Sequence, residues 1–360
     1  MGSDRLTRRE CLARGAGAVL AAGLAGAGGY WLRERSTDAH DAARGQPPSL
    51  VLRDYFAPVT PPPDAPRISV AIADAGQFEA LVRAAVGGLD RELGMRRFVG
   101  AGDVVLIKPN VGFDRPPAMG ATTHPELVRW LVRLCRAAGA REVLIADHPI
   151  ESPEACFARS GIARVAGEEG ARIVLATSRH FARVSARWGS GQRVLEDWPV
   201  FVEPLRRATK LIGIAPVKDH NLSRASITLK NWYGLLGGRR NQLHQAIHEV
   251  ISDLAVLFSP TLVIADGTRV MLANGPTGGR STDVRPGGML GRPVVVAATD
   301  PVACDAWCYE NLLGRDPAEL TYLGLARRKV AAAAATGRCG FGESDWRVYD
   351  RRRLIVTANV

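Results

Sequence analysis

Lysine is nearly missing from this chain. Of 47 basic residues only Lys108, Lys210, Lys218, Lys230 and Lys329 are lysines, and the other 42 are arginines. Cysteine is scarce as well, with six in 360 residues and no C-x-x-C-x-x-C run, so a ferredoxin-type cluster is not encoded in the usual way. No G-x-S-x-G elbow is present, which argues against a serine hydrolase of the α/β type. Basic residues are scattered rather than gathered into a block interleaved with aromatics. The formal charge of +11 falls to about +8 once the +3 of residues 1–36 is set aside, and nucleic acid is therefore not an expected partner. The run Arg351-Arg352-Arg353 reads as a solvated turn or edge.

What is present is a globular composition, 46% hydrophobic and 23% charged, long enough to bury a sizeable core. Residues 1–36 stand apart. A twin arginine, Arg8-Arg9, precedes the apolar but Gly- and Ala-rich stretch 15–32. This resembles a twin-arginine (Tat) export signal, with Cys11 where such signals prefer Phe. The resemblance implies the twin-arginine translocase as a partner and a periplasmic or other extracytoplasmic location. The segment could be cleaved near Ala25-Gly26-Ala27 or kept as an N-terminal anchor, and it is the chain's one expected contact with a membrane. Proteins using that route often fold around a cofactor first. Residues 37–66 are rich in Pro and small polar residues and read as a linker or strap, leaving 67–360 as one α/β domain. Without Cys11 five cysteines remain, an odd number, and buried thiols are expected.

The domain alternates apolar runs of strand length with helical patterns. "DVVLIKPN", "REVLIADHP", "ARIVLAT", "ATKLIGIAPVKDH", "PTLVIADG" and "RPVVVAATDP" are continuous enough to be strands covered on both faces. "HPELVRWLVRLCRAAGA", "NQLHQAIHEVISDLAVLF" and "PVACDAWCYENLL" carry helical spacing. The expected fold is α/β, a largely parallel sheet with helices on both faces. Five runs end in polar groups: Lys108-Pro109-Asn110, Asp147-His148, Lys218-Asp219-His220, Asp266-Gly267 and Asp300. On a parallel sheet these ends share one edge, and ligands of open α/β sheets bind outside the carboxyl ends of the strands. Thr123-His124-Pro125-Glu126 fits a capping box with Thr123 as cap, and Asp300-Pro301 fits an N-cap followed by Pro. Thr123 and Asp300 are therefore assigned to structure and His124 to function.

The same motifs, "VVLIKPNVG", "THPELVRWLVRLCRAAGAREVLIADHP", "KDHNLSRASITLKNWYGLLGGRRNQLHQ", "LVIADGTRVMLANGPTGG" and "AATDPVACDAW", resemble the family labelled domain of unknown function 362, from Ile68 to the C-terminus. The matching residues are Lys108, Asn110, His124, Pro125, Asp147, Lys218, His220, Lys230, Asn231, Arg240, His244, Asp266, Asn274, Gly275, Pro276, Asp300, Pro301 and Asp305. Some relatives carry ferredoxin-like cysteine clusters and are described as iron–sulfur proteins. This chain lacks those cysteines. The resemblance therefore implies little about activity.

Why lysine, in a chain that writes nearly every cation as arginine? Arginine stays charged and forks over planar anions, whereas a lysine amine loses its proton readily when desolvated and can act as donor, base or Schiff-base nucleophile. The bland alternative is that these five are left over from biased codon usage. The candidate catalytic set is Lys108, Lys218, His220, Lys230 and His124, with Asn110, Asp147, Asn231, Arg240, His244, Asp266 and Asn274 binding the substrate or cofactor. His244 and His248 form H-x-x-x-H, metal-ligand spacing if one helix face carries both, but Gln245 stands where a zinc peptidase needs Glu. The cofactor itself is not identified. "LANGPTGGRS" is neither a P-loop nor a dinucleotide-binding glycine motif, and it either covers the site or merely turns. The expected function is an exported enzyme acting on an anionic small molecule or cofactor at the strand ends. The alternative is a noncatalytic module carrying a metal or organic cofactor.

Overall fold

A computed structural model describes residues 50–184, 194–335 and 341–360. The export-signal reading of residues 1–36 and the first part of the 37–66 linker, residues 37–49, lie outside the described residues, as does Cys339. In chain order the strands are β1 (Ile68–Ile72), β2 (Val104–Lys108), β3 (Glu142–Ile145), β4 (Arg172–Ile173), β5 (Phe181–Val184), β6 (Trp198–Phe201), β7 (Lys210–His220), β8 (Arg224–Ser226), β9 (Leu262–Met271), β10 (Val284–Arg285), β11 (Val294–Ala298) and β12 (Ile355–Asn359). The α-helices are α1 (Phe78–Gly87), α2 (Pro125–Ala137), α3 (Pro153–Arg159), α4 (Ile162–Glu168), α5 (Glu203–Arg207), α6 (Thr228–Asn231), α7 (Ile247–Leu257), α8 (Pro301–Asn311), α9 (Thr321–Ala334) and α10 (Arg347–Arg351).

Ten strands form one mixed, mostly parallel sheet in the order β12-β1-β11-β9-β7-β2-β3-β4, with β10 on β9 and β8 on β7. β5 and β6 pair separately. The continuous apolar runs are strands with two buried faces, as their lack of alternation requires. Along β2, Val104 and Leu106 face one core while Val105 and Ile107 face the other. The first core is closed by α6 to α9 through residues such as Leu229, Leu254, Trp307 and Leu323. The second is closed by α1 to α4 through Leu81, Leu131, Phe157 and Ile162. In α2 the sequence explains the packing: Leu127, Val128, Leu131 and Val132 are buried, while Arg129 pairs with Glu126, Glu168 and Glu169 on the outer side. Each fully buried Leu or Val of this kind contributes roughly 1.5–3 kcal/mol. Residues 50–66 lie across the domain, with Leu52, Tyr55, Phe56 and Val59 buried and the Tyr55 hydroxyl donating to Leu205 O at 2.8 Å.

Two expectations about strand ends are corrected. β11 runs antiparallel to both neighbours, so Asp300 lies at the edge opposite Lys108 and Asp147. There it caps α8, accepting from Val302 N and Ala303 N, and also accepts from Glu343 N and the Tyr349 hydroxyl. Asp266 does not end its strand. β9 continues through it to Met271, and the carboxylate accepts from Thr268 N and His124 N. A third correction concerns α2: its cap is His124, whose Nδ1 accepts from Glu126 N, whereas Thr123 Oγ1 ties Asn110 N to Ile214 O.

Candidate functional site

The ends of β2, β3 and β7 meet α6 and the 3₁₀ turns that follow it. β7 carries a bulge against β9 between Pro216 and Lys218, then folds back as a hairpin with β8. Bulges re-aim the side chains beside them. α6 is only four residues long, and its start is tied down by Asp305 of α8, whose carboxylate accepts from Thr228 N, Thr228 Oγ1 and Leu229 N. Burial raises the Asp305 carboxyl to about 7. Asp305 thereby fixes the turn that presents Lys230 and Asn231.

Between these elements is a cleft of about 590 Å³, solvent at its mouth included. Behind its wall Lys108, fully buried, pairs with Asp147 at 2.7 Å and donates to Asn231 Oδ1 at 2.8 Å and Pro109 O at 2.9 Å. The other oxygen of Asp147 accepts from Val111 N at 2.6 Å. Gly234 makes this pair possible, because a β-carbon there would sit 2.1 Å from Asp147 Oδ1 and 2.6 Å from Lys108 Nζ. Lys218 donates to Asn110 Oδ1 at 3.0 Å and Ala121 O at 2.7 Å, with the Phe113 ring 5.4 Å away. Two of its three N–H groups are thus used. Lys230 differs: among the described residues its Nζ makes no hydrogen bond or ion pair, and it lies 5.0 Å from the centre of the Tyr233 ring.

Asp147 is the one carboxylate lining the cleft, and Lys108 already neutralises it. Among the described residues Lys218 and Lys230 form no ion pair. The electrostatic result is lowered proton affinity. Burial first, then Lys230 and Lys108, push Lys218 down to about 7; burial, then Arg240 and Lys108, push Lys230 down to about 8.

Three imidazoles line the cleft, those of His148, His220 and His244, and the last two are held in opposite tautomers. His220 Nδ1 accepts from Leu222 N at 3.1 Å and Ser223 N at 3.3 Å, so the neutral ring carries its proton on Nε2. Burial, with Lys230 and Lys218 adding to it, lowers His220 to about 2. His244 Nδ1 lies 3.1 Å from Asn241 O, a carbonyl that only accepts, so its proton is on Nδ1 and Nε2 is a lone-pair acceptor. His244 is also lowered, by burial and then Lys230.

Residues 105–310 match the family model described as "Domain of unknown function (DUF362)", more than half of the chain. The chain belongs to the DUF362 family. A thylakoid-associated protein of Synechocystis sp. is 26% identical over 248 residues, covering 65% of this chain and 70% of the relative. Among solved structures, the lactate racemase apoprotein of Thermoanaerobacterium thermosaccharolyticum aligns with a TM-score of 0.33 at 14% identity, over 59% of this chain and 52% of that one. A Thermotoga maritima protein aligns with a TM-score of 0.31 at 14% identity, over 53% and 51%. The chain spans about half the length of the solved structures it matches.

In this DUF362 chain the cleft gathers Asn110, Asp147, Lys218, His220, Lys230, Asn231, Arg240 and His244, with Lys108 directly behind. Four candidates lie elsewhere. His124 caps α2 against the Phe78 ring, and Asp266 is held within β9. Asn274 donates to Asp283 on the surface, although Pro276 of the same "LANGPTGGRS" loop does line the cleft. His248 is not on a helix face with His244: the 3₁₀ turn Arg240–Ala246 ends before α7 begins, and His248 stacks on Tyr322. Among the described residues no three His, Cys, Asp or Glu side chains are placed to hold a metal. Cys135 and Cys156 are buried in one core and Cys304 and Cys308 in the other. Tyr233, Asn241, Phe113 and Ser226 also line the cleft, and no spacing in the sequence marked them.

Proposed function

We propose that the chain is an enzyme that binds an anionic small molecule in this cleft and moves protons on it. The observation that carries the reading is the excess of amines: Lys218 and Lys230 face a cleft whose one carboxylate among the described residues is already paired with Lys108. Buried charge without a partner is costly, and an anion of the right size removes that cost. Lys218 and Lys230 exchange protons near neutrality, His220 offers an Nε2–H and His244 an Nε2 lone pair, which together form a general acid–base set. Asn110 and Asn231 hold the amines in register.

Export through the twin-arginine translocase belongs to the same proposal, with Arg8-Arg9 and the weakly apolar 15–32 stretch as its basis. A relative described as thylakoid-associated supports a place at or beyond a membrane. Among the described residues no helix is long and apolar enough to cross one. The test is a thermal-shift screen of the full chain against acetate, oxalate, phosphate and pyrophosphate at pH 7. A saturable rise in Tm that Lys230→Met removes supports the reading, and no rise with any of the four rejects it.

A further inference from the structure

Three amines reach this corner of the fold, and they are not equivalent. Lys108 is locked in a buried ion pair, and Lys218 is held by two acceptors. Lys230 lines the cleft with no hydrogen bond or ion pair among the described residues, although the side chain of Asn231 beside it is fully engaged and Lys218 has two acceptors. An amine needed only for charge would be expected to take a partner, as the other two do. One kept free keeps its lone pair available for bond formation.

The geometry points to Lys230 as a nucleophile that forms a Schiff base with a small oxo acid, the carboxylate facing the Lys218 and Arg240 charges and the carbonyl presented to Lys230 Nζ. This rests on the anion-binding reading of the cleft and adds the substrate's second functional group. The groups facing Lys230 are Lys108, Lys218, Arg240, His220 and His244, with Asp147 committed to Lys108. The amine is lowered to about 8, so at pH 7.5 its neutral fraction exceeds that of an ordinary lysine by more than about a hundredfold. In the reaction the neutral amine adds to the carbonyl carbon as the C=O π bond opens, and one proton passes from nitrogen to oxygen by way of His244 Nε2. The carbinolamine hydroxyl, held by the His220 Nε2–H, takes one proton from solvent and departs as water, leaving a C=N⁺–H iminium. No oxidant or reductant is required.

Having only five lysines makes the test direct. The full chain is incubated at pH 7.5 with pyruvate and sodium cyanoborohydride, which reduces an iminium to a stable secondary amine, and the adduct is mapped by peptide mass spectrometry. The expected result is an adduct on Lys230 at least about tenfold above Lys210 and Lys329, lost in Lys230→Arg, which retains charge but not the nucleophile. Modification spread evenly over the surface lysines, or placed on Lys218, overturns the proposal. Acetate, which has no ketone, separates the two readings. If acetate raises Tm and pyruvate leaves no adduct, the Schiff base is wrong and the anion cleft stands. If acetate, oxalate, phosphate and pyrophosphate all leave Tm unchanged and no adduct forms, both readings fail.

Discussion

The two edges of the sheet bury charge in opposite ways. At the far edge Asp300 is fully buried, yet both its oxygens are occupied, by Val302 N and Ala303 N on one side and Glu343 N and the Tyr349 hydroxyl on the other. At the carboxyl edge cations outnumber acids, and one amine has no hydrogen-bond partner among the described residues. The first arrangement is complete without anything from outside. The second is the one we propose an anion completes, and on that reading the difference separates a structural use of buried charge from a functional one.

The comparison breaks most visibly at the Lys108–Asp147 pair, which is shared by the cleft and the core. Asp147→Ala leaves a buried ammonium unpaired and is expected to lower stability by about 3–5 kcal/mol in a denaturant melt. Gly234→Ala tests the same pair sterically and is expected to do comparable harm, since its β-carbon lands on both partners. At the far edge, Tyr349→Phe removes one donor from Asp300 and should cost roughly 1–3 kcal/mol, leaving the anion-induced Tm shift intact. A smaller effect comes from pH. Folded Lys218 and Lys230 release protons near about 7 and about 8, whereas the unfolded chain holds them to the ordinary lysine value of 10.5. Between those limits the unfolded state binds more protons, so the Tm is expected to rise with pH from about 7 to about 10, and Lys230→Met should flatten the slope. The smallest change in stability is that of Lys230→Met itself at pH 7, near zero or slightly stabilising, with complete loss of the anion response.

Much of the site was legible because β2, β3 and β7 are apolar runs that stop at an ionisable residue, and a parallel sheet brings such stops together. What failed to read did so for physical reasons. β11 looks like its parallel neighbours because burial on both faces erases any sign of direction, and so Asp300 seemed to belong with Lys108. Asp266-Gly267 resembles a strand end, but Thr268 satisfies the carboxylate and the strand runs on. The H-x-x-x-H spacing assumed one continuous helix, and the 3₁₀ turn before α7 breaks it. Tyr233 and Asn241 come from turns whose path no periodicity encodes.

His220 is anchored through Nδ1 to the hairpin turn at Leu222 and Ser223, so it can offer a hydrogen bond but cannot take up charge without releasing that turn. Sites built on histidine change charge as a compartment acidifies. His220 does not, since it stays neutral down to about 2, and the amines are already protonated below about 7. In the proposed anion site it is therefore mild alkali that removes the charge of Lys218 and Lys230.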